Sequence, residues 1–456
     1  MRSLGSSFPT FGAALSALLV CLAPLGCSSA ADASPTEDAG NGSDAAHDSG
    51  TADAPRADTN PPPPPSYDGG PIAAAMNDVS ILFPLPRDEA DIDNLLSASS
   101  SGPLGTLLPS KLYRGVGLIS GSSFVDGGNG PEAAYEDLHV VAMRLDPCFA
   151  SLAPDPHGAG CAAQLRLVFQ QVRDDEDAGA SAFDSALHVF YSLDRAQLLA
   201  LASALVDLRT ANAAGVTLGP LAPHPIMVKQ GLGGPFATGV RALVLQYAGE
   251  KNLTRVAETQ LLLSEGPAAW TLAAFDVADA TTATISPATI PTLLEGDGGV
   301  TSQGMALPFP PAPPSFECGI GPATTSTDDL TPLVDGKAAD LSTAARQAAF
   351  DSLVRIENPG DNSPNTIDCA SCHVATPTEQ LVARPLFMLD DRTSPLAFQP
   401  DGKSVLAADM TPTYGQAVAG ELNIHAFSYL GQSPGINQRV VNETAAIVQY
   451  LNDLPR

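Results

Sequence analysis

Cys369-Ala370-Ser371-Cys372-His373 combines two residue types able to fix a metal-bearing group covalently. Two cysteines three positions apart, with histidine directly after the second, form the attachment signature of a c-type haem. Each thiol adds across one vinyl group of the porphyrin, and the two thioethers fix the ring against the local backbone. His373 then projects toward the iron and supplies the proximal nitrogen. One covalent haem c per chain is the expectation. The competing chemistry is a Cys-x-x-Cys disulfide or redox pair that happens to precede a histidine.

The elements that must position this motif lie in residues 334–456. Ala338 to Glu357 reads as a helix, with Leu341, Ala345, Ala349, Leu353 and Ile356 on one face and Pro359-Gly360 as its stop. Val440 to Leu454 reads as a terminal helix, with Val440, Ile447, Leu451 and Leu454 on one face. A helix, the attachment motif, a loop-rich middle and a terminal helix together resemble a class I cytochrome c domain, over the last part of the chain only. The resemblance implies that the first and last helices cross with an aromatic from each at the contact, roles open to Phe350 and Tyr450. Two departures are visible: Arg346 stands where the family has a small residue, and the interval from Phe350 to Cys369 is longer than the family's.

The sixth position of the iron decides the function class. An electron carrier keeps both axial positions filled, whereas a peroxidase or gas-binding site leaves one open. Downstream of the motif the candidates are His425, Met410 and Met388. The resemblance ranks His425 first, because the family places its distal ligand shortly before the terminal helix. Met410, in the loop Asp409-Met410-Thr411-Pro412, resembles the family's methionine ligands; Met388 and an open position stay as alternatives. Imidazole in place of thioether lowers the reduction potential. His139 and His188 fall on strands and read as half-buried structural histidines, while His157 and His224 lie in Pro-rich loops. No His-Glu metal motif, phosphate-binding Gly loop or nucleophile elbow is present.

The start of the chain fits the same chemistry, since this family acquires its haem outside the bacterial cytoplasm. Arg2, the apolar run Phe11 to Leu25 and the small residues after it describe a secretory signal over residues 1–26. Leu25-Gly26-Cys27 resembles a bacterial lipoprotein cleavage site, although Pro24 stands where that family usually has Leu. The resemblance implies lipidation of Cys27 and a membrane anchor in the bacterial cell envelope, at the outer membrane or periplasmic face. Residues 27–70, rich in Ala, Asp, Ser and Pro, cannot bury enough surface to offset their ordering entropy and read as a disordered tether. Of the remaining cysteines, Cys148 and Cys161 flank a turn-rich loop, and an exported compartment favours a disulfide there; pairing through Cys318 stays open.

Lys and Arg number 22 against 50 Asp and Glu, for a formal net charge of −28. Nucleic acid is therefore excluded as a partner, because phosphate binding needs clustered positive charge. A basic redox protein would be attracted. Residues 71–295 read as an α+β domain of unknown role. Strands are expected over Asp78–Leu85, Leu138–Leu145, Leu165–Arg173, Ala186–Leu193, Arg241–Ala248, Leu253–Leu263 and Ala269–Val277. Leu187, Val189 and Tyr191 share one strand face, and Leu198, Leu201, Leu205 and Leu208 mark a helix capped by Asp194. Short turns between strands favour an antiparallel sheet. Residues 296–333, rich in Pro and Gly, read as a connector. The expected fold class is thus an α+β N-terminal domain with an antiparallel sheet, followed by a mainly α cytochrome c-like domain over 334–456.

Three functions fit these residues. The first is a lipid-anchored c-type cytochrome exchanging electrons with a partner protein. The second is a peroxidase-like haem oxidoreductase with an open iron position. The third is a surface interaction protein whose haem is structural or sensory.

Overall fold

Alternating apolar residues build the main sheet. Its strands and the small hairpin near the start are β1 (Ser80–Leu82), β2 (Ser101–Gly102), β3 (Gly105–Thr106), β4 (Leu138–Asp146), β5 (Ala163–Asp175), β6 (Gly179–Leu193), β7 (Leu253–Leu262), β8 (Ala269–Asp279), β9 (Thr284–Pro287), β10 (Ser302–Ala306) and β11 (Gly319–Gly321). In this computed structural model the described residues are 65–120, 134–147, 163–175, 179–262, 269–288, 302–306, 319–321, 328–334, 336–363, 367–414 and 423–455. All of them belong to the compact unit Pro62–Arg456. Cys27, Cys148, Cys161 and Cys318 lie outside the described residues.

Among the described residues nine strands form one antiparallel sheet, in the order β1-β4-β5-β6-β7-β8-β10-β11, with β9 also paired to β8. Leu187, Val189 and Tyr191 of β6 are buried in a core shared with the helices Arg195–Asn212 and Pro235–Tyr247. Asp194 caps the first of these, accepting the Gln197 N–H at 2.8 Å. Alternation sends Ala186, His188 and Phe190 to the opposite face. Pairing register places Val168 and Ala257 beside His188, and Arg166 and Arg255 beside Phe190.

The expected strand Arg241–Ala248 is a helix, Pro235–Tyr247. Pro235 opens it at the first turn, where a missing N–H costs nothing. Phe236, Val240, Val244 and Tyr247 then form a buried helical stripe. The continuous apolar run Ala242-Leu243-Val244-Leu245 imitates a strand locally, and the helix is decided upstream at Pro235.

The expected mainly α C-terminal domain is also corrected. A second, three-stranded antiparallel sheet forms there from β12 (Thr413–Tyr414), β13 (Phe427–Leu430) and β14 (Ser433–Ile436), in the order β12-β14-β13. Phe427 and Tyr429 supply aromatic strand residues, and Gly431, at φ 57°, makes the tight turn between them and β14. Within residues 296–333, β10 and β11 continue the main sheet, with Met305 of β10 opposite Trp270 of β8. The helices Thr343–Glu357 and Gln438–Asn452 stand near their expected positions. Their aromatics do not share a cluster: Phe350 packs with Trp270 and Leu272, and Tyr450 packs against the larger core. No helix among the described residues is long and apolar enough to cross a membrane.

Hairpin β13–β14 lies on the second face of the main sheet, held by a side chain acting as backbone. The Gln170 carboxamide on β5 accepts the Tyr429 N–H at 2.9 Å and donates to the carbonyls of Tyr429 and Phe183 at 2.8 Å each. The Tyr429 hydroxyl donates to the Phe83 carbonyl at 2.7 Å, and the Ala182 N–H donates to the Gly431 carbonyl at 3.0 Å. Truncating Gln170 strands three buried backbone groups, each worth about 1–3 kcal/mol when left unpaired. Gln170→Ala is expected to lower unfolding stability by about 3 kcal/mol in urea titrations. A change under about 0.5 kcal/mol would show that the hairpin is held by other contacts.

Candidate functional site

The motif occupies the first turns of a helix, Cys369–Thr378, hereafter the motif helix. Asp368 caps it by accepting the Ser371 N–H at 2.8 Å. On a helix, positions i, i+3 and i+4 share one face, so Cys369, Cys372 and His373 project together. Both cysteines are free thiols and half-buried. Burial, with the charge of Asp368 beside it, pushes the Cys369 thiol up to about 12. Burial likewise pushes Cys372 up to about 11. Redox cysteine pairs show the opposite direction, a thiolate stabilised by its surroundings.

The orientation of His373 follows from one hydrogen bond. Its Nδ1 lies 2.8 Å from the Ile424 carbonyl oxygen. A carbonyl only accepts, so Nδ1 carries the proton and Nε2 keeps its lone pair for a ligand bond. Metal-bound histidines are commonly fixed in this way by a partner on the other ring nitrogen.

The terminal helix, Gln438–Asn452, locks the motif helix in place. Asn437 caps the terminal helix through the Val440 N–H and donates its own amide to the Cys372 carbonyl at 3.0 Å. The Gln438 N–H donates to Thr376 Oγ1 at 2.8 Å. Arg439 is buried and donates to the carbonyls of Ile356, Asn358 and Asn362, satisfying groups at and beyond the C-terminal end of the helix Thr343–Glu357. Glu443 joins Arg439 to Arg144 of β4. Burial alone would raise the Glu443 carboxyl, but Arg144, Arg439 and Arg166 outweigh it and hold it at about 2. Arg166 pairs in turn with Asp146. Arg144 and Arg166 belong to the Phe190 row of the sheet, one step from His188.

Three histidines gather here. His188 on β6 and His373 have ring centroids 6.2 Å apart with planes at 84°. His425 meets the Trp270 ring edge-on at 5.6 Å. Its Nδ1 is 2.8 Å from the Ser428 hydroxyl, and its Nε2 is buried with no hydrogen-bond partner among the described residues. Burial, then the charges of His373 and Arg166, holds His188 down at about 3. Burial, then His373, holds His425 at about 3 as well. All are therefore neutral imidazoles at physiological pH, the form that binds metals.

The methionine candidates stand elsewhere. Met388 is 90% exposed. Met410 packs against the larger core, and its carbonyl accepts from Gln438. His139 is fixed locally through Nδ1 to the Asp137 carbonyl, and His224 stacks on Phe236. Sequence reading missed His188, Trp270 and the arginine row. The available signal was that His188 alternates with Leu187 and Val189, and so cannot share their core.

One other group has metal-ligand chemistry: the buried carboxylates Glu357, Glu379 and Asp391. Arg384 pairs with both Glu379 and Asp391, and Thr376 donates to Glu357 at 2.6 Å. Glu379 also accepts the Asp391 N–H at 2.9 Å, so the cluster ties the π turn Glu379–Ala383, directly after the motif helix, to the chain that follows. We read it as structural. Burial, reinforced by Asp391, pushes Glu379 from 4.5 up to about 8, and Glu357 is raised in the same direction by burial and by Glu379. A carboxyl raised on folding binds its proton more tightly in the native state. Its stabilisation is complete below the unfolded value and is lost as pH rises through about 8. Wild-type stability is expected to fall by a few kcal/mol between pH 5 and about 9, and Glu379→Gln to flatten that fall. Equal pH slopes for the two proteins, measured by urea unfolding, would refute the assignment.

No known family, curated protein or solved structure matches this chain, so its function is read from this site.

Proposed function

We propose that this chain is an exported, lipid-anchored c-type cytochrome. It holds one covalent haem on Cys369, Cys372 and His373 and exchanges electrons with a partner protein. The observation that carries the reading is the geometry of the motif: two free thiols and an imidazole on one helix face, with His373 Nδ1 committed to Ile424 and Nε2 without a hydrogen bond among the described residues. That donor set fits a c-type haem, because it offers two thioether positions and one oriented proximal nitrogen. Haem bound there supplies a one-electron ferric/ferrous couple. The chain's own residues do the rest. Asn437, Gln438 and Arg439 fix the motif helix, and Trp270 and His425 pack nearby as neutral surfaces. The net charge of −28 supports a partner with a basic docking face.

The test is expression in a host that matures c-type cytochromes. A haem-stained band that survives denaturing electrophoresis is expected, and Cys369→Ala with Cys372→Ala should remove it entirely. A stain that persists in the double variant, or is missing from wild type, contradicts the reading. The anchor is tested separately. Intact-mass analysis of the membrane fraction is expected to show acyl mass on an N-terminal peptide beginning at Cys27, and Cys27→Ala should abolish it. An unacylated wild-type protein in the soluble fraction would remove the anchor.

A further inference from the structure

We propose that His188, on strand β6 of the main sheet, is the second axial ligand of the iron held by His373. This rests on the haem reading above and extends it, because it takes the distal ligand from the large sheet and not from the C-terminal segment.

Ring separation is the first argument. A metal–imidazole nitrogen bond is about 2 Å, and the ring centre lies about 1.1 Å behind that nitrogen. Two imidazoles in trans on one ion therefore have centroids about 6.2 Å apart. His188 and His373 stand at 6.2 Å, with planes turned 84° from each other. Edge-to-face ring pairs span about 4.5–7 Å, so the separation matches trans ligation and ordinary ring packing alike, and the nitrogens and the sheet decide between them.

Available nitrogens are the second argument. His373 has one ring nitrogen engaged and, among the described residues, no hydrogen bond at the other. His188 makes no hydrogen bond among the described residues and is half-buried, so its ring is open to a ligand.

The sheet around it is the third argument. Ala142, Val168, Ala257 and Ala274 form its row in register. Along this row only small side chains stand beside the imidazole. Arg144, Arg166 and Arg255 make the next row, each already paired with a carboxylate of the protein: Glu443, Asp146 and Asp276.

His425 is less well placed. Its Nε2 is unpartnered among the described residues, as a ligand nitrogen must be, but its ring packs edge-on against Trp270 at 5.6 Å. Its neighbour Ile424 sits at the Nδ1 end of His373, the end that points away from the iron position.

The test uses the full-length haem-loaded protein, with optical spectra of the ferric and ferrous forms. Wild type should be six-coordinate and low-spin, with no binding of carbon monoxide to the ferrous form. His188→Ala should keep its covalent haem stain, become high-spin and bind one carbon monoxide per haem. Added imidazole should return that variant to low spin, which separates ligand loss from misfolding. His188→Met should stay low-spin with a higher reduction potential. Low spin retained in His188→Ala but lost in His425→Ala would overturn the proposal and transfer the role to His425. A wild-type protein that carries covalent haem but is high-spin would overturn it while leaving the haem reading intact. A wild-type protein without covalent haem would overturn both.

Discussion

Buried backbone groups must be paired, and that requirement holds residues 423–437 between the main sheet and the motif helix. On the sheet side, Gln170 pairs with the amide and carbonyl of Tyr429 as a neighbouring strand would. On the helix side, Ile424 accepts from His373 and Asn437 donates to the Cys372 carbonyl. The same short segment therefore decides where the second sheet docks and which way the His373 imidazole points. Loosening either end would release both. This is why the site cannot be understood from the C-terminal region alone, and why β6 stands opposite the motif.

Charge follows the same pattern. Arg144, Arg166, Arg439, Glu443 and Asp146 form a buried chain linking β4 and β5 to the terminal helix. Buried ion pairs add little net stability compared with apolar packing, but removing one member leaves an uncompensated charge and costs about 3–5 kcal/mol. Their effect is therefore on position more than on total stability. They set the terminal helix against the sheet, and the terminal helix sets the motif helix. Counting three arginines against two acids leaves an excess of one positive charge beside Cys372 and His188. An anionic group lodged there would meet a favourable field.

The Cys-x-x-Cys-His pattern is legible at once, because its spacing is local. Most strands of the main sheet were legible from alternation, as was the helix capped by Asp194. The rest failed for separate reasons. Arg241–Ala248 carries both periods, and the helical one prevails because Pro235 starts it and its apolar stripe meets the core. The hairpin Phe427–Ile436 is short, with Pro434 and Gly435 within its second strand, and its strand character comes from long-range bonds to Gln170 and Ala182. The distal ligand is a separate matter: the family resemblance takes it from the segment before the terminal helix. Strand alternation carried the opposite information: His188 points away from Leu187 and Val189, toward whatever covers the sheet's second face. What covers it is the motif, and no local pattern could bring together residues so far apart in sequence.

Two near-perpendicular imidazoles on one low-spin ferric iron give a strongly axial electronic environment, whereas an open position gives high-spin iron. The electron paramagnetic resonance spectrum of the frozen ferric protein therefore tests the central claim most directly. A low-spin signal with a strongly axial g tensor is the expected result, given planes 84° apart. A high-spin signal, or no haem signal at all, would contradict the account.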